Sequence, residues 1–379
     1  MKKFKVITVL GTRPEIIRLS RIIDKFDKSF KHILVNTNQN YDTNLNKIFF
    51  KDLEIRKANY NLKIAGKSSI QTISKILVEV EKIIQKERPD AFFVLGDTNS
   101  SYSLLVAKKY KIPTFHYEAG NRCFDMRVPE ELNRKLIDSI SDINLTYSEN
   151  AKNFLLSEGF PINRVLNIGS PMKEVIKYYE NKIHLSTILR KLKIEKNKYF
   201  LFSFHREENL DDENNLRNFI LLINKIYNKY KIPIIISTHP RTRKKINLFI
   251  KKNKTNKNIL FLNPLSFSDY NNLQLNSLLV LSDSGTINEE TAILKFLSIN
   301  LRENNERHEA MEESITLMST LNLKIIFNQI EYLLNNRSKN FRINLVKDYE
   351  IDNVSEKITR SILSYTPYVN REIWKKKEV

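Results

Sequence analysis

The stretch that decides the fold is FKVITVLGTRPE, residues 4–15. Residues 4–10 are mostly apolar and predict a buried strand, which ends at Gly11. Pro14 suits the first turn of a helix, and apolar residues from Ile16 to Phe26 recur on one helical face. A strand, a glycine loop and an amphipathic helix in this order are typical of a parallel α/β sheet.

The same alternation continues along the chain. A long amphipathic helix is predicted over residues 70–84, and a Lys/Asn-rich stretch near 180–198 interrupts the rhythm. Further strands are predicted at 32–35, 91–95, 114–116, 143–147, 199–204, 232–237, 259–262, 278–282 and 297–300. We therefore expect an α/β fold of two Rossmann-like, doubly wound domains that face one cleft. The expected bounds are 1–172, joined by a C-terminal helix at 354–379, for the first domain and 173–353 for the second.

Glycine is rare in this chain, with 7 in 379 residues, where average usage gives roughly 26. Gly11, Gly96, Gly120 and Gly285 each follow or interrupt a predicted strand, beside Thr, Asp, Glu, Ser or Arg residues. A chain that uses glycine so sparingly keeps it where the backbone takes a positive φ or approaches a ligand. These four loops are the predicted ligand site.

The formal net charge of +20 raises the question of a nucleic-acid partner. The lysines are spread over helix faces and loops, so a solvated surface is the better interpretation and no nucleic-acid partner is expected. No apolar run is long enough to span a bilayer, so no membrane partner is expected either. The single cysteine, Cys123, excludes an internal disulfide and is typical of a reducing cytoplasm.

Carboxylates end two neighbouring predicted strands and open a helix nearby. These acids are Asp97, Glu118, Glu130 and Glu131, with Arg134 one turn into the helix. Carboxylates placed close together perturb one another's pKa values, as general acid–base catalysis requires. The alternative interpretations are a helix N-cap for Asp97 and an exposed first-turn acid for Glu131.

The stretch SDSGTINEE, residues 282–290, predicts an anion site where a strand meets a helix. The N–H groups of Ser284, Gly285 and Thr286 can cradle a diphosphate. Glu290 can accept hydrogen bonds from ribose, as acidic residues do in nucleotide sites.

Cations follow several other predicted strands and favour phosphate binding. They are Arg13, His205, Arg206, His239, Arg302 and Arg307. The N–H groups of the loop that starts at Gly11 and Thr12 can hold a phosphate together with Arg13. The alternatives are a merely structural turn at residues 11–15, satisfied structural histidines, and a surface ion-pair run at Glu303 and Glu306. The chain has no metal-ligand spacing and no G-x-G-x-x-G or Walker sequence, so no metal, NAD or ATP is expected.

Taken together, these loops resemble one family, the non-hydrolysing UDP-N-acetylglucosamine 2-epimerases, from Val6 to about Glu313. Within it, the chain is most similar to the subgroup that makes UDP-N-acetyl-L-fucosamine. The stretches that carry this similarity are RPEIIRLS (13–20), QNYD (39–42), EAGNRCFD (118–125) and SYTPYVNR (364–371). The resemblance implies two domains of the GT-B type, no metal or nicotinamide cofactor, a UDP-sugar substrate and a homodimer.

The resemblance also implies roles for individual residues. The residues expected to transfer protons or to support that transfer are Asp97, Glu118, Glu130 and His205. Those expected to hold the diphosphate are Arg13, His205, Ser284, Gly285 and Thr286, with Glu290 on the ribose. The other expected substrate-binding residues are Arg18, Arg134, Arg206, His239, Arg302 and Arg307. Arg18 stands where the glucosamine-type enzymes usually carry Lys, and residues 121–128 form a shorter loop than theirs, which favours a different hexose.

The expected reaction is inversion of carbon-2 in a UDP-2-acetamido-2,6-dideoxy-L-hexose, from L-talo to L-fuco, for capsule or O-antigen synthesis. It would proceed by elimination of UDP and re-addition through a 2-acetamidoglycal. The alternative substrate pair is UDP-GlcNAc and UDP-ManNAc. A hydrolysing relative, a GT-B glycosyltransferase and a non-catalytic nucleic-acid binder are the further alternatives.

Overall fold

A computed structural model describes residues 3–38, 43–64, 66, 68–204, 213–238, 256–337 and 346–376, with the backbone alone for residues 43–47 and 213–214. The chain divides into two compact units. The first unit comprises Met1–Tyr178 and Lys347–Val379, and the second comprises Tyr179–Val346.

The first unit is built on a parallel sheet of seven strands in the order β3-β2-β1-β4-β5-β6-β7. The strands are β1 (Lys5–Leu10), β2 (Lys31–Asn36), β3 (Tyr60–Asn61), β4 (Ala91–Leu95), β5 (Thr114–Ala119), β6 (Ile143–Thr146) and β7 (Val165–Asn167). The helices that precede the second unit are α1 (Arg13–Ser29), α2 (Thr43–Asp52), α3 (Ser69–Glu87), α4 (Ser103–Lys109), α5 (Pro129–Ile140), α6 (Glu149–Ser157) and α7 (Met172–Tyr178). Short 3₁₀ helices lie at Asn99–Tyr102 and Ile162–Arg164.

The sheet of the first unit buries apolar side chains on both faces, because successive residues of a strand point in opposite directions. Phe92 of β4 belongs to a buried cluster with Ile76 and Val80 of α3. Its neighbour Phe93 contacts Phe26 of α1, with ring centroids 5.4 Å apart. Helices therefore cover both faces, as continuous apolar strand sequences require.

The second unit repeats this architecture with six parallel strands in the order β10-β9-β8-β11-β12-β13. The strands are β8 (Phe200–Phe204), β9 (Ile234–Thr238), β10 (Ile259–Leu262), β11 (Leu279–Ser282), β12 (Ser298–Asn300) and β13 (Leu317–Met318). The described helices are α8 (Glu180–His184), α9 (Ile188–Leu192), α10 (Glu213–Tyr230), α11 (Phe267–Asn276), α12 (Ile287–Leu294), α13 (His308–Glu312) and α14 (Leu323–Asn335). Phe202 packs with α10 and α14 on one face, and Leu201 packs with α9 and α11 on the other.

The last helix, α15 (Val354–Tyr368), follows the 3₁₀ helix Lys347–Tyr349, continues into a π-helical turn at Val369–Ile373 and belongs to the first unit. Lys25 of α1 forms an ion pair with Glu356. The Ser355 N–H donates to Glu174 of α7 at 2.8 Å. Among the helices of the described residues, none is both long and apolar enough to cross a membrane.

Both sheets confirm the predicted α/β class with doubly wound, parallel strands. The stretch near 180–198 differs from the expected interruption, because it contains the short helices α8 and α9. Ile183 and Ile188 are buried there, and Asn272 of α11 donates to the Ile183 carbonyl at 2.8 Å. This stretch is therefore a packed part of the second unit, stabilised by contacts with residues distant in sequence.

Candidate functional site

The polar loops of the first unit lie at the switch point of its sheet, where β1 and β4 are neighbours. Open α/β sheets bind ligands outside the carboxyl ends of their strands at this point. Residues 11–12 leave β1 there, residues 96–98 leave β4, and the end of β5 lies beside β4. The motifs that the sequence singled out thus end three adjacent strands.

Glu15 organises the loop between β1 and α1. Its Oε2 accepts the N–H groups of Gly11 and Thr12 at 3.0 and 2.6 Å, which forms a capping box with Thr12. Its Oε1 accepts the Thr98 hydroxyl at 3.0 Å and so joins this loop to the one after β4. The expectation that the Gly11 and Thr12 amides hold a phosphate is therefore wrong, because a buried carboxylate already occupies them. Arg13 opens α1, and its guanidinium carbon lies 5.8 Å from the centre of the Phe49 ring.

Asp97 is tied to α5 by a side chain from that helix. Its Oδ2 accepts from Arg134 Nε at 2.8 Å, and its carbonyl accepts from Asn133 at 2.7 Å. The neighbouring Thr98 caps the 3₁₀ helix that follows, because its hydroxyl accepts the Ser100 N–H at 3.2 Å. The N-cap alternative for Asp97 is therefore wrong, and its carboxylate instead lies at a strand end against a buried cation.

Glu118 lies at the end of β5 with its carboxylate against a second arginine. Arg18 of α1 donates to Glu118 Oε1 at 2.6 Å, and both side chains are largely buried. Glu118 has a φ of +74°, and the pairing of β5 with β6 shifts register around it. A Cβ atom on Gly96 would stand 3.0 Å from Glu118 Oε2, so glycine is needed for this close approach.

Glu131 is fully buried, so the alternative interpretation of an exposed first-turn acid is wrong. It accepts the N–H groups of Cys123 and Phe124 at 3.0 and 3.1 Å and an Arg134 N–H at 3.0 Å. Burial opposes its ionisation, but these donors prevail and hold the pKa of Glu131 below its usual range. Glu130 precedes it in the first turn of α5 and is half-buried.

Sequence reasoning missed the structural roles of Glu15 and Glu131, although signals for both exist. Thr12 and Glu15 have the T-x-x-E spacing of a capping box. Glu131 and Arg134 lie three residues apart on one face of a helix, where opposite charges pair.

The predicted residues of the second unit lie mainly in the loop between β11 and α12. The Ser284 N–H donates to the Ser282 hydroxyl at 3.0 Å, and the Thr286 N–H reaches the Ser284 hydroxyl at 3.4 Å. In the structure, both amides thus contact hydroxyl groups within the same loop. Glu290 is buried and accepts the Thr286 hydroxyl at 2.9 Å and the Gln274 amide at 2.5 Å.

Arg302 and Arg307 are both buried and each has a carboxylate partner. Arg302 forms a two-pronged pair with Glu306, with N–O distances of 3.1 and 2.8 Å. This pair lies against Gly285, where a Cβ would stand 2.7 Å from Glu306 Oε1. Arg307 lies 3.5 Å from Glu289. The surface interpretation of Glu306 is therefore wrong, whereas Glu303 is exposed.

Three predicted site residues, His205, Arg206 and His239, lie outside the described residues, as does the QNYD stretch at 39–42. Within the described ranges, no three His, Cys, Asp or Glu side chains are grouped so as to hold a metal ion.

The arrangement provides two acids with a defined electrostatic setting. Asp97 and Glu118 end adjacent strands, and each carboxylate contacts a largely buried arginine. Each carboxylate is thus held at a fixed position by a charge-assisted hydrogen bond. Ionised carboxylates held at fixed positions are suited to removing and returning a proton.

A protein-family profile described as UDP-N-acetylglucosamine 2-epimerase matches residues 24–363. The chain is similar in structure to the UDP-N-acetylglucosamine 2-epimerase of Rickettsia bellii, with a TM-score of 0.92 and 43% identity over 99% of this chain and 100% of that one. The Methanocaldococcus jannaschii UDP-GlcNAc 2-epimerase, solved in complex with UDP-GlcNAc and UDP, gives a TM-score of 0.87 and 37% identity over 96% of this chain and 100% of that one.

A relative with a different named substrate also matches. The Pseudomonas aeruginosa UDP-2,3-diacetamido-2,3-dideoxy-D-glucuronate 2-epimerase is 32% identical over 307 residues, which cover 80% of this chain and 84% of that protein. The named relatives thus share inversion at carbon-2 of a UDP-sugar and differ in the sugar.

Proposed function

Because the chain belongs to the UDP-N-acetylglucosamine 2-epimerase family, we propose that it inverts carbon-2 of a UDP-2-acetamido-2,6-dideoxy-L-hexose, converting the L-talo into the L-fuco epimer. The chain is an isomerase of the UDP-sugar 2-epimerase class. The observation that carries the proposal is the pair of acids, Asp97 and Glu118, that end adjacent strands beside Arg134 and Arg18.

The proposed chemistry is elimination followed by re-addition. A carboxylate takes the carbon-2 proton while the bond from carbon-1 to the UDP oxygen breaks, which leaves a 2-acetamidoglycal and UDP. The proton then returns to the opposite face of carbon-2, and the UDP oxygen re-forms its bond to carbon-1. Asp97, Glu118 and Glu130 are the assigned proton-transfer and supporting residues, because two faces of one carbon require groups at different positions.

UDP is the leaving group, so the protein must stabilise its diphosphate as negative charge develops. We assign this role to Arg13 and to the loop at Ser284, Gly285 and Thr286. We assign the ribose hydroxyls to Glu290, a buried carboxylate at the start of α12 that accepts hydrogen bonds from Gln274 and Thr286 in the structure.

Two features of the first unit support a 6-deoxy L-sugar. The resemblance implies that the loop at 121–128 lies beside the sugar, and this loop exposes Phe124 and Met126. Apolar side chains suit a carbon-6 methyl group better than a hydroxymethyl group, which would leave a hydroxyl without a partner. The second feature is Arg18, which contacts Glu118 where the glucosamine-type enzymes usually carry Lys.

The alternative substrate pair is UDP-GlcNAc and UDP-ManNAc. It is favoured by the names of the relatives from Rickettsia bellii and Methanocaldococcus jannaschii.

Proton NMR in D₂O tests the proposal and its alternative together. Purified protein is incubated with UDP-2-acetamido-2,6-dideoxy-L-talose in one tube and with UDP-GlcNAc in another. Loss of the carbon-2 proton signal with appearance of the L-fuco epimer supports the proposed substrate. Exchange in the UDP-GlcNAc tube alone assigns the chain to the glucosamine type.

Two further outcomes of the same experiment reject epimerisation. Accumulation of UDP in amounts equal to the sugar consumed identifies a hydrolysing enzyme. Absence of exchange in both tubes rejects both substrate assignments, and turnover that needs an added sugar acceptor then identifies a glycosyltransferase.

A further inference from the structure

A buried cluster of charges lies behind Glu118. At its centre is Asp138 of α5, which is fully buried. Asp138 Oδ1 lies 2.8 Å from His116 Nδ1, and Oδ2 lies 2.8 Å from an Arg122 nitrogen and accepts the Gly120 N–H at 3.2 Å. These three partners flank Glu118 in sequence, two residues before it and two and four residues after it.

The cluster also contacts the end of β4, the strand that precedes Asp97. His116 Nε2 lies 3.1 Å from the carbonyl oxygen of Gly96, the residue before Asp97. The two ring nitrogens of His116 thus contact groups on two different elements, a carboxylate on α5 and a carbonyl at the end of β4. One buried side chain therefore links Asp138 to the ends of β4 and β5.

Arg122 anchors the other side of the loop. It is fully buried, and its guanidinium also forms a two-pronged pair with Glu158, at 2.8 and 2.6 Å. The Arg122 guanidinium thus lies between two carboxylates, those of Asp138 and Glu158. Such a cluster is strongly destabilised when one partner is removed, because the others remain buried without compensation.

Glu118 itself needs such support. Its φ of +74° lies in the left-handed region, which side chains other than glycine rarely adopt. A residue in this conformation persists only where its surroundings fix it, and such residues concentrate at functional sites. The ladder between β5 and β6 is irregular at this point, so strand pairing alone does not hold it.

We propose that Asp138 is a positioning residue for the epimerisation. It fixes residues 116–122 so that the Glu118 carboxylate contacts Arg18 and lies against Gly96 on the side where a Cβ atom would stand. This inference rests on the proposed function for its kinetic consequence. It concerns Glu118 geometry alone and assigns Asp138 no contact with substrate.

Asp142 offers a matched control. It is also buried, and it forms an ion pair with Lys108 and accepts the N–H and hydroxyl of Thr114 at 3.0 and 2.9 Å. Thr114 begins β5, at the end of the strand opposite to Glu118. Asp142→Asn therefore removes a comparable buried charge that contacts the opposite end of β5, without touching the residues around Glu118.

The experiment compares Asp138→Asn with Asp142→Asn in the full chain. In Asp138→Asn, one carboxylate oxygen becomes an N–H₂ donor and the negative charge beside Arg122 is lost, so the contacts with His116, Gly120 and Arg122 cannot all be kept and residues 116–122 should shift. We expect kcat to fall about 100-fold, the loss typical of a displacement of about 1 Å in a catalytic group, with KM within about threefold. Both variants should lower the thermal midpoint, and by similar amounts. Asp142→Asn should change kcat less than about threefold.

A double-mutant cycle separates positioning from general damage. If Asp138 acts through Glu118, adding Asp138→Asn to Glu118→Gln lowers the remaining carbon-2 exchange in D₂O by less than about twofold. A further drop close to the 100-fold of the single variant would overturn the proposal, as would equal kcat losses in Asp138→Asn and Asp142→Asn.

A crystal structure of Asp138→Asn keeps this inference separate from the proposed function. If the wild-type chain epimerises neither UDP-sugar, the proposed function fails. The position of Glu118 can still be compared between crystal structures of Asp138→Asn and Asp142→Asn. We expect a changed φ at Glu118 or a lost contact with Arg18 in Asp138→Asn alone. An unchanged φ and an unchanged contact in that variant overturn the inference.

Discussion

The Arg18 guanidinium lies 2.6 Å from the Glu118 carboxylate and joins the first helix to the end of the fifth strand. Arg18 also stacks over the Tyr147 ring, with its guanidinium carbon 5.5 Å from the ring centre. Its planar cation therefore contacts an aromatic ring and a candidate catalytic acid at the same time. This relationship is the local feature that most distinguishes the site from one built with lysine, whose ammonium is a point charge on a flexible stem.

Arg18→Lys should lower kcat/KM about 10-fold to 100-fold on the substrate that the wild-type protein epimerises. The reason is that lysine keeps the charge but loses the fixed geometry of the guanidinium and its stacking on Tyr147. Initial rates measured by NMR with each UDP-sugar test this, and they also show whether the variant shifts its preference toward UDP-GlcNAc.

Arg21→Lys is the matched control for this prediction. Arg21 lies on the same helix, pairs with Asp24 at 2.7 Å and covers the Tyr178 ring at 3.4 Å. It makes the same kinds of contact as Arg18 without a candidate catalytic acid. A loss of kcat/KM as large in Arg21→Lys as in Arg18→Lys contradicts a specific role for Arg18.

Glu15 should make the stability of the protein fall as the pH rises. Burial raises its pKa from 4.5 to about 7, although the hydrogen bonds that it accepts oppose the rise. Between these two values the folded state holds a proton that the unfolded state has lost, so the free energy of unfolding decreases with pH. The full effect is at most about 3 kcal/mol. It is absent below pH 4.5 and complete above pH 7.

Glu15→Gln tests this directly, because glutamine has the shape of the protonated acid. It can accept the amides of Gly11 and Thr12 through its oxygen and donate to the Thr98 hydroxyl through its nitrogen. We expect the variant to match the wild type in denaturant unfolding at pH 4.5 and to exceed it by up to about 3 kcal/mol at pH 8. A constant difference between the two pH values contradicts the assignment.

The same local chemistry explains what the sequence could and could not predict at this loop. The strand, the glycine and the helix start followed from local pattern, and β4 has the predicted bounds, Ala91–Leu95. Gly11 and Thr12 looked like anion donors because free amides begin most helices. Glu15 instead accepts hydrogen bonds from those amides in a capping box. The T-x-x-E spacing is therefore a better predictor here than the general tendency of helix N-termini to bind anions.

Other features depend on contacts that no local pattern contains. The burial of Glu131 depends on the Cys123 and Phe124 amides folding back over α5. Helix α8 is held in place by Asn272, 89 residues away from the carbonyl it contacts. Two interpretations of Asp97 fit the sequence, and the hydrogen bond from Arg134, 37 residues away, decides between them. In each of these, the partner distant in sequence decides the role.

Glu131→Gln should lower the free energy of unfolding by about 2 kcal/mol at neutral pH, since it weakens charge-assisted hydrogen bonds in a buried site. Its folded pKa is lowered, so the stability that Glu131 contributes is present at neutral pH and is lost as the pH falls through that value. The penalty of the substitution should therefore shrink in acid. Denaturant unfolding at pH 7 and pH 3.5 measures both effects.

This pH dependence has the opposite sign to that of Glu15→Gln, so each variant serves as a control for the other. A general loosening of the first unit would give both variants the same trend. A penalty for Glu131→Gln that grows as the pH falls contradicts the role assigned to its hydrogen bonds.

Gly285→Ala should weaken binding of UDP by about tenfold or more, which corresponds to about 1.4 kcal/mol. The new Cβ would stand 2.7 Å from Glu306 Oε1 and 3.2 Å from an Arg302 nitrogen, so the buried pair must move. Both side chains flank the loop that we assign to the diphosphate. A shift of the pair moves the Arg302 guanidinium away from Glu306 and from the bound UDP. Isothermal titration with UDP measures the loss.

Gly159→Ala separates this effect from a general cost of replacing glycine. Gly159 has a φ of +89°, and a Cβ there meets no atom within 4 Å. The substitution therefore strains the backbone without displacing a neighbour, so it should lower the thermal midpoint and leave UDP affinity within about twofold of the wild type. Gly285 does not have a positive φ in the structure, and its substitution should act mainly through Arg302 and Glu306. Equal UDP affinities in the two variants would show that the loop after β11 does not bind the nucleotide.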